Sequence, residues 1–286
     1  MEYSDVTKLL RKKIEEKGVL VAVHRGCSGG NIIENTIPAY EIALKYGGDI
    51  IEVDVAKSTD GVLYTIHEGQ EQRLFFNDRN VLTMSSDEIN QLKYRNGNSF
   101  PLNQKVEKLD DVLKHFKGDV LINLDRAWDY WEETIEAVKK YDMFDQIILK
   151  SQVKDKYLDT LEQYEIPVMY IPIVYNEQEL RKVLERQINT VGAEIIIESE
   201  ESDFYDLRII KELKEKNLLI WLNAIRLNDK RVLTAGYDDD ISLLEGEDEG
   251  WGKIVEMGAD IIQTDWPLHL SLYLDKTVRA KSAAMQ

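Results

Sequence analysis

The stretch Val19-Leu20-Val21-Ala22-Val23-His24-Arg25-Gly26 decides how this chain reads, with Ile50-Ile51-Glu52-Val53-Asp54 and Tyr64-Thr65-Ile66-His67 as its continuation. Residues 19–23 and 50–55 are β-branched apolar runs with reactive side chains at or near their ends. Between them, residues 36–46 place Ile37, Tyr40, Ala43 and Leu44 on one helical face. A strand, a helix and a second strand in succession make a βαβ unit.

The same alternation runs through the chain. Strands are expected at 120–124, 147–149, 168–173, 194–197, 218–222 and 260–263. Helices are expected at 108–116, 131–141, 154–164, 177–187, 204–216, near 250–257 and at 268–274. Eight strands alternating with helices point to an α/β fold, a closed (β/α)8 TIM barrel. No Gly-x-Gly-x-x-Gly follows the first strand, so an open dinucleotide-binding sheet lacks its phosphate loop. No Pro/Gly/Ser-rich linker divides the chain, and 286 residues suit one barrel domain over 1–286. The exception to the alternation is 68–107, after the second strand. Loops of that length usually carry function or a small subdomain, so this one is expected to be an insertion covering the active face. Its Phe75, Phe76 and Tyr94 read as packing within the insertion.

Composition narrows the function. Asp and Glu number 53 against 36 Lys and Arg, a formal net charge of -17. Binding to a phosphate backbone needs a basic face, so nucleic acid is excluded as a partner. Adsorption to anionic membranes is disfavoured on the same ground. No apolar run approaches the roughly 20 residues of a membrane span. Residues 1–17 are charged and lack an apolar signal core, which favours a cytoplasmic protein, or a secreted one if a leader has been removed. Cys27 is the only cysteine, so it forms no intrachain disulfide. An acidic protein that takes an anionic substrate needs a local cation or a small basic cluster. The acidic run at 238–249 reads as a solvated loop, and 276–286 as an exposed end.

In such barrels the active site lies at the C-terminal ends of the strands. His24 and Arg25 end the first. Glu52 and Asp54 are two residues apart on the second and share a face. His67 ends the extended run after Asp60-Gly61. Asp125, Lys150, Asn223 and Asp265 end or follow later strands. Glu52, Asp54 and Asp125 form an all-oxygen set suited to Mg²⁺ or Ca²⁺; the alternative is pairing with Arg25 and Lys150. His24 and His67 suit general acid–base work near neutral pH. Arg25 offers a planar fork for phosphate oxygens. In Glu34-Asn35-Thr36, either Asn35 or Thr36 is a candidate N-cap for the helix that follows.

Taken together, His24-Arg25-Gly26, Glu34-Asn35-Thr36, Glu52-Val53-Asp54, Asp60-Gly61 and His67 resemble the glycerophosphodiester phosphodiesterase family in order and spacing. The segment Gly258-Ala259-Asp260-Ile261-Ile262-Gln263-Thr264-Asp265-Trp266-Pro267 resembles the one that closes that family's barrel. Ile220-Trp221-Leu222-Asn223 and Lys108-Leu109-Asp110-Asp111-Val112-Leu113 also resemble its segments. The resemblance implies a TIM barrel that hydrolyses glycerophosphodiesters to an alcohol and glycerol 3-phosphate with a divalent cation, Mg²⁺ or Ca²⁺. By position, Glu52, Asp54 and Asp125 would hold the metal, His24 and His67 would be the acid–base pair, and Arg25 would bind phosphate.

The chain departs from the family pattern twice. His-Asp becomes His67-Glu68, and Glu-x-Lys becomes Asp125-Arg126-Ala127. The shorter Asp125 would draw the metal toward its strand or bind it through water. The missing lysine takes with it a positive charge for phosphate binding, and Lys150 is the expected replacement as a phosphate-binding residue beside Arg25. These departures leave room for a related phosphodiesterase or phospholipase D-like enzyme acting on another phosphodiester or a lysophospholipid. They also permit a non-catalytic binder of a phosphorylated ligand.

Overall fold

The structure, a computed structural model, describes residues 3–164, 168–228 and 230–280. All eight expected strands form: β1 (Leu20–Val23), β2 (Ile50–Lys57), β4 (Leu121–Asp125), β5 (Ile147–Gln152), β6 (Met169–Val174), β7 (Gly192–Ile195), β8 (Leu219–Asn223) and β9 (Ile261–Thr264). Each pairs in parallel with its neighbours, and β1 pairs with both β2 and β9, which closes the ring. One strand was not foreseen as part of the sheet. β3 (Leu63–Thr65) folds back antiparallel on β2 across the Asp60-Gly61 turn, matching Val55 with Thr65. It carries the chain back toward the end of β2 that bears Asp54, and thereby delivers His67.

Because successive strand residues face opposite sides, the barrel has two apolar layers. Val21, Val23, Ile51, Val53, Ile122, Leu124, Ile147 and Leu149 belong to one cluster with the surrounding helices. Leu20, Ala22, Ile50, Leu121, Ile148, Met169, Leu219 and Ile261 form the other, the lower filling of the barrel. Leu10, from the helix Lys8–Lys17, joins that second cluster and plugs the N-terminal end. Further along the same inward faces the residue type changes from apolar to polar. Glu52, Asp54, Asn123, Asp125, Lys150, Asn223 and Gln263 follow the apolar residues of that layer at intervals of two, and Glu194 follows Gly192 in the same way. A layer of polar groups therefore sits on an apolar floor, and the floor denies it water from below.

The 68–107 segment builds a small core of its own from Leu74, Phe75, Val81, Met84, Ile89 and Tyr94, packed on Ile66 and Tyr64. Phe75 and Tyr94 are buried against each other with ring centroids 4.8 Å apart, while Phe76 is exposed under Arg95. The acidic run is not simply a solvated loop: it includes the helix Asp239–Leu244, N-capped by Asp238, and buries Asp239. The C-terminal end is docked at Arg279, which pairs with Asp49 and Asp275; residues 281–286 lie outside the described residues. No helix among the described residues is long and apolar enough to cross a membrane.

Candidate active site

The β1 end is shaped by two left-handed residues in succession. Arg25 has φ 55° and Gly26 φ 73°. A Cβ on Gly26 would meet the backbone of Ala39 at 2.8 Å, so the His-Arg-Gly turn has no space there for any larger residue. The turn aims the Arg25 amide at Glu52 Oε2, 2.8 Å away, and brings Arg25 Nε within 2.9 Å of Asp54 Oδ2. Arg25 Nη1 reaches Glu34 Oε1 at 3.2 Å.

Asn35, left-handed at φ 57° and buried, fixes Asp54 from the other side. Its Nδ2 donates to Asp54 Oδ2 at 2.9 Å, and its Oδ1 accepts from the Asp54 amide at 3.0 Å and from the Tyr40 hydroxyl at 2.9 Å. Its side chain therefore acts as a bracket on the site and does not cap the helix Ile37–Lys45. Thr36 is the N-cap residue, but its hydroxyl turns back to the Ile33 carbonyl. The cap comes instead from Glu107, whose Oε2 accepts from the Ile37 amide at 2.7 Å.

Glu52, Asp54 and Asp125 each present an oxygen, and the three atoms lie within 4.8 Å of one another. The shorter Asp125 thus reaches the cluster. Burial and the neighbouring Asp54 push Glu52 up to about 8. Burial likewise raises Asp125, against the opposing charge of Lys150. Burial also disfavours charged Asp54, but Arg25, His67 and His24 outweigh it and hold this carboxyl below its usual range. Three acid groups crowded in a dry place, two of them driven toward the neutral form, suit a hard divalent cation.

The two histidines flank this cluster. His24 Nδ1 lies 3.0 Å from Asp265 Oδ1, and His67 Nδ1 lies 2.6 Å from the Glu68 carbonyl. Each contact uses Nδ1 as donor and leaves Nε2 for proton transfer. Burial lowers the basicity of His24, but the Asp265 hydrogen bond and the charge of Glu52 overcome that and raise it. Asp265 is in turn braced by Asp239, which accepts from the Asp265 amide, the Thr264 hydroxyl and the Trp251 indole at 2.9, 2.7 and 2.8 Å.

A cavity of about 310 Å³ opens over the cluster. It brings together His24, Arg25, Glu52, Asp54, His67 and Asp125, six of the seven site residues expected from sequence. Lys150 lies beneath them, buried, with Nζ 2.6 Å from Glu194 Oε2 and 3.8 Å from the Trp221 ring centroid. Residues 68–107 contribute nothing to the lining; Ile225, Leu227, Arg231 and Leu233, after β8, do. The insertion touches the site at its rim, where Glu68 grips Arg126 and Arg73 grips Glu34. A second cavity of about 560 Å³ shares His24 and Arg25 and runs along Cys27, Tyr46, Trp266 and Leu268.

The family profile described as the glycerophosphoryl diester phosphodiesterase family matches residues 24–218, a span that includes every residue of this cluster. The chain belongs to that family. A second profile, described only as a domain of unknown function, matches residues 166–274. The chain is 32% identical over 139 residues to the uncharacterized protein YqiK of Bacillus subtilis. It is 30% identical over 141 residues to a glycerophosphodiester phosphodiesterase of Caldanaerobacter subterraneus. Each match covers 46% of this chain and 57% of the relative. The fold is similar to a glycerophosphoryl diester phosphodiesterase of Parabacteroides distasonis, with a TM-score of 0.77 at 17% identity over 98% of this chain and 96% of that one. It is also similar to an Oleispira antarctica phosphodiesterase solved with the product sn-glycerol-3-phosphate, with a TM-score of 0.65 at 17% identity over 90% and 96% of the chains.

Sequence reasoning missed Asp265 as the partner of His24 and Glu107 as the helix cap. Asp265 was visible only as a polar residue following the last strand, and its partner is 241 positions away.

Proposed function

We propose that this chain hydrolyses glycerophosphodiesters to an alcohol and glycerol 3-phosphate. The observation that carries the reading is the trio of Glu52, Asp54 and Asp125 oxygens within 4.8 Å of one another, flanked by two histidines with Nδ1 already engaged. Glu52, Asp54 and Asp125 would hold a divalent cation, Mg²⁺ or Ca²⁺, which when bound polarises phosphoryl oxygen and offsets its charge. Arg25 binds a phosphate oxygen beside the cluster. One histidine takes the proton from the attacking hydroxyl through Nε2; the attack is by water directly, or by the glycerol 2-hydroxyl to give a cyclic phosphate that water then opens to glycerol 3-phosphate. The other gives a proton to the departing alkoxide. His24, backed by the Asp265 carboxylate and raised in basicity, suits the donor role; His67, whose Nδ1 is held by a neutral carbonyl, suits the acceptor role. The dry apolar floor strengthens each of these charge interactions.

The cavity beside His24 supports a second reading. Its walls include the exposed Trp266 and Leu268, which suit an apolar alcohol portion and hence a lysophospholipid. The test is hydrolysis of glycerophosphocholine and of lysophosphatidylcholine with Mg²⁺ or Ca²⁺, with products identified by phosphorus NMR. Glycerol 3-phosphate from the first substrate supports the main reading. Turnover of the second substrate alone supports the alternative, and turnover of neither contradicts both.

A further inference from the structure

The two departures from the family pattern, at Glu68 and at Asp125-Arg126-Ala127, touch each other. Arg126 Nε donates to Glu68 Oε2 at 2.7 Å, and Nη2 closes a second contact to Glu68 Oε1, so the pair is bidentate. Arg126 has φ 57°, a left-handed conformation that residues with side chains rarely adopt. Its guanidinium lies 5.7 Å from the Trp128 ring centroid. Both Arg126 and Trp128 line the cavity over the carboxylate cluster, and the charges of Asp54 and Asp125 act on Arg126. No hydrogen bond engages Arg126 Nη1 among the described residues. Lys150, the replacement expected from sequence, is committed to Glu194 below the cavity.

We propose that Arg126 supplies the phosphate-gripping charge that the lysine of the family pattern would supply, and that Glu68 is its positioning residue. The inference rests on the reading of this cavity as a phosphodiester site. Ala127 removes a cation, and the adjacent residue replaces it from a different backbone angle. A guanidinium reaching in from position 126 needs an anchor, and the carboxylate after His67 provides one. Glutamate, one methylene longer than the family's aspartate, spans the gap. Two donors go to Glu68, and Nη1 remains for a phosphate oxygen. Such forked contacts are directional in a way a lysine contact is not. The Glu68 carbonyl also receives His67 Nδ1, so one residue sets both the proton-transfer group and the phosphate grip.

The test is calorimetric binding of sn-glycerol 3-phosphate and inorganic phosphate, with Mg²⁺ present, to the wild type, Arg126→Gln, Arg126→Lys, Glu68→Gln and Arg126→Gln/Glu68→Gln. Charged hydrogen bonds are worth enough that Arg126→Gln weakens both ligands about 10- to 100-fold. KM for a glycerophosphodiester rises in parallel, and Arg126→Lys recovers part of the loss. Glu68→Gln keeps the backbone carbonyl that holds His67. It weakens binding less than Arg126→Gln and adds no more than about twofold when Arg126 is already gone, the signature of a coupled pair. Arg231→Gln, which removes another cation from the cavity wall, is the comparison. Binding by Arg126→Gln within twofold of wild type overturns the proposal, as does tighter binding by Glu68→Gln. Loss in Arg231→Gln with none in Arg126→Gln assigns the grip to the loop after β8 and overturns it too. If Arg126→Gln loses phosphate while the wild type hydrolyses no glycerophosphodiester, the grip stands and the assigned reaction fails. If the wild type hydrolyses and Arg126→Gln binds normally, the grip fails and the reaction stands.

Discussion

The two sides of the cluster are held by different means. On the β1–β2 side, Glu52 and Asp54 are gripped by the Arg25 amide and guanidinium and by both ends of the Asn35 amide. These contacts come from tight turns that tolerate little change at Gly26 or Asn35. On the β4 side, Asp125 accepts from the amide of its own neighbour, Arg126, at 2.7 Å and feels the charge of Lys150. Lys150 is fixed below by buried bonds to Glu194 and Gln263, but the rim beside Asp125 is closed by one part-exposed side-chain pair, Arg126 with Glu68. The bracketed side keeps the family pattern, and the side that departs from it is the one held by a swappable ion pair. Acid geometry is thus built into the backbone at β1 and β2, whereas the phosphate contact proposed at β4 hangs on the Arg126–Glu68 pair.

This contrast can be broken most severely at its rigid side. Asp54→Asn removes a ligand oxygen and the partner of Arg25; hydrolysis should fall by about 10⁴-fold or more, and calorimetry should show loss of cation binding. An Asp54→Asn enzyme with near-normal turnover would put the cation elsewhere. His67→Ala should cost about 10²- to 10⁴-fold in kcat with little change in cation affinity, measured by steady-state kinetics and calorimetry. Asn35→Ala leaves the Asp54 amide and the Tyr40 hydroxyl without partners, and about 2–4 kcal/mol of unfolding free energy should be lost. Urea denaturation measures it, and a loss under 1 kcal/mol would show that the bracket is not rigid. Asp265→Asn leaves His24 in place but weakens its Nδ1 contact, so kcat should fall by about 10- to 100-fold, less than removal of a histidine.

The smallest effect lies outside the cluster, at Glu107. Partial burial pushes its carboxyl up to about 7. The folded form therefore binds a proton that the unfolded chain releases near its ordinary value of 4.5. Stability from this group is complete below about 4.5 and falls as pH rises toward 7. Glu107→Gln retains an acceptor for the Ile37 amide and removes that decline. Urea midpoints at pH 5 and 7.5 should show the variant gaining on the wild type as pH rises; a constant difference would contradict the assignment.

Strand positions were legible because buried parallel strands need unbroken β-branched runs, and Ile50-Ile51-Glu52-Val53-Asp54 shows both the run and the reactive side chains it presents. The site residues of β1, β2 and β4 were legible because alternation fixes which side chains face inward. The rest depended on contacts that sequence spacing does not encode. Glu107 caps a helix 70 positions away. Lys150 reads as a strand end over 147–149 but lies inside β5, which runs on to Gln152, and its long side chain goes to Glu194, contributed by a strand 44 positions on. Arg126 is only the middle residue of an altered motif in the sequence, since its link to Glu68 crosses 58 positions. β3 is three residues long, too short for a periodic signal to mark it as part of the sheet.

The reaction proposed for this site requires a divalent cation held by Glu52, Asp54 and Asp125. Its most direct test is phosphorus NMR of glycerophosphocholine incubated with the enzyme, first with Mg²⁺ or Ca²⁺ and then with excess chelator. The glycerol 3-phosphate resonance should appear in the first case, be absent in the second, and return when the cation is restored. Glycerol 3-phosphate forming at an unchanged rate in chelator would contradict it.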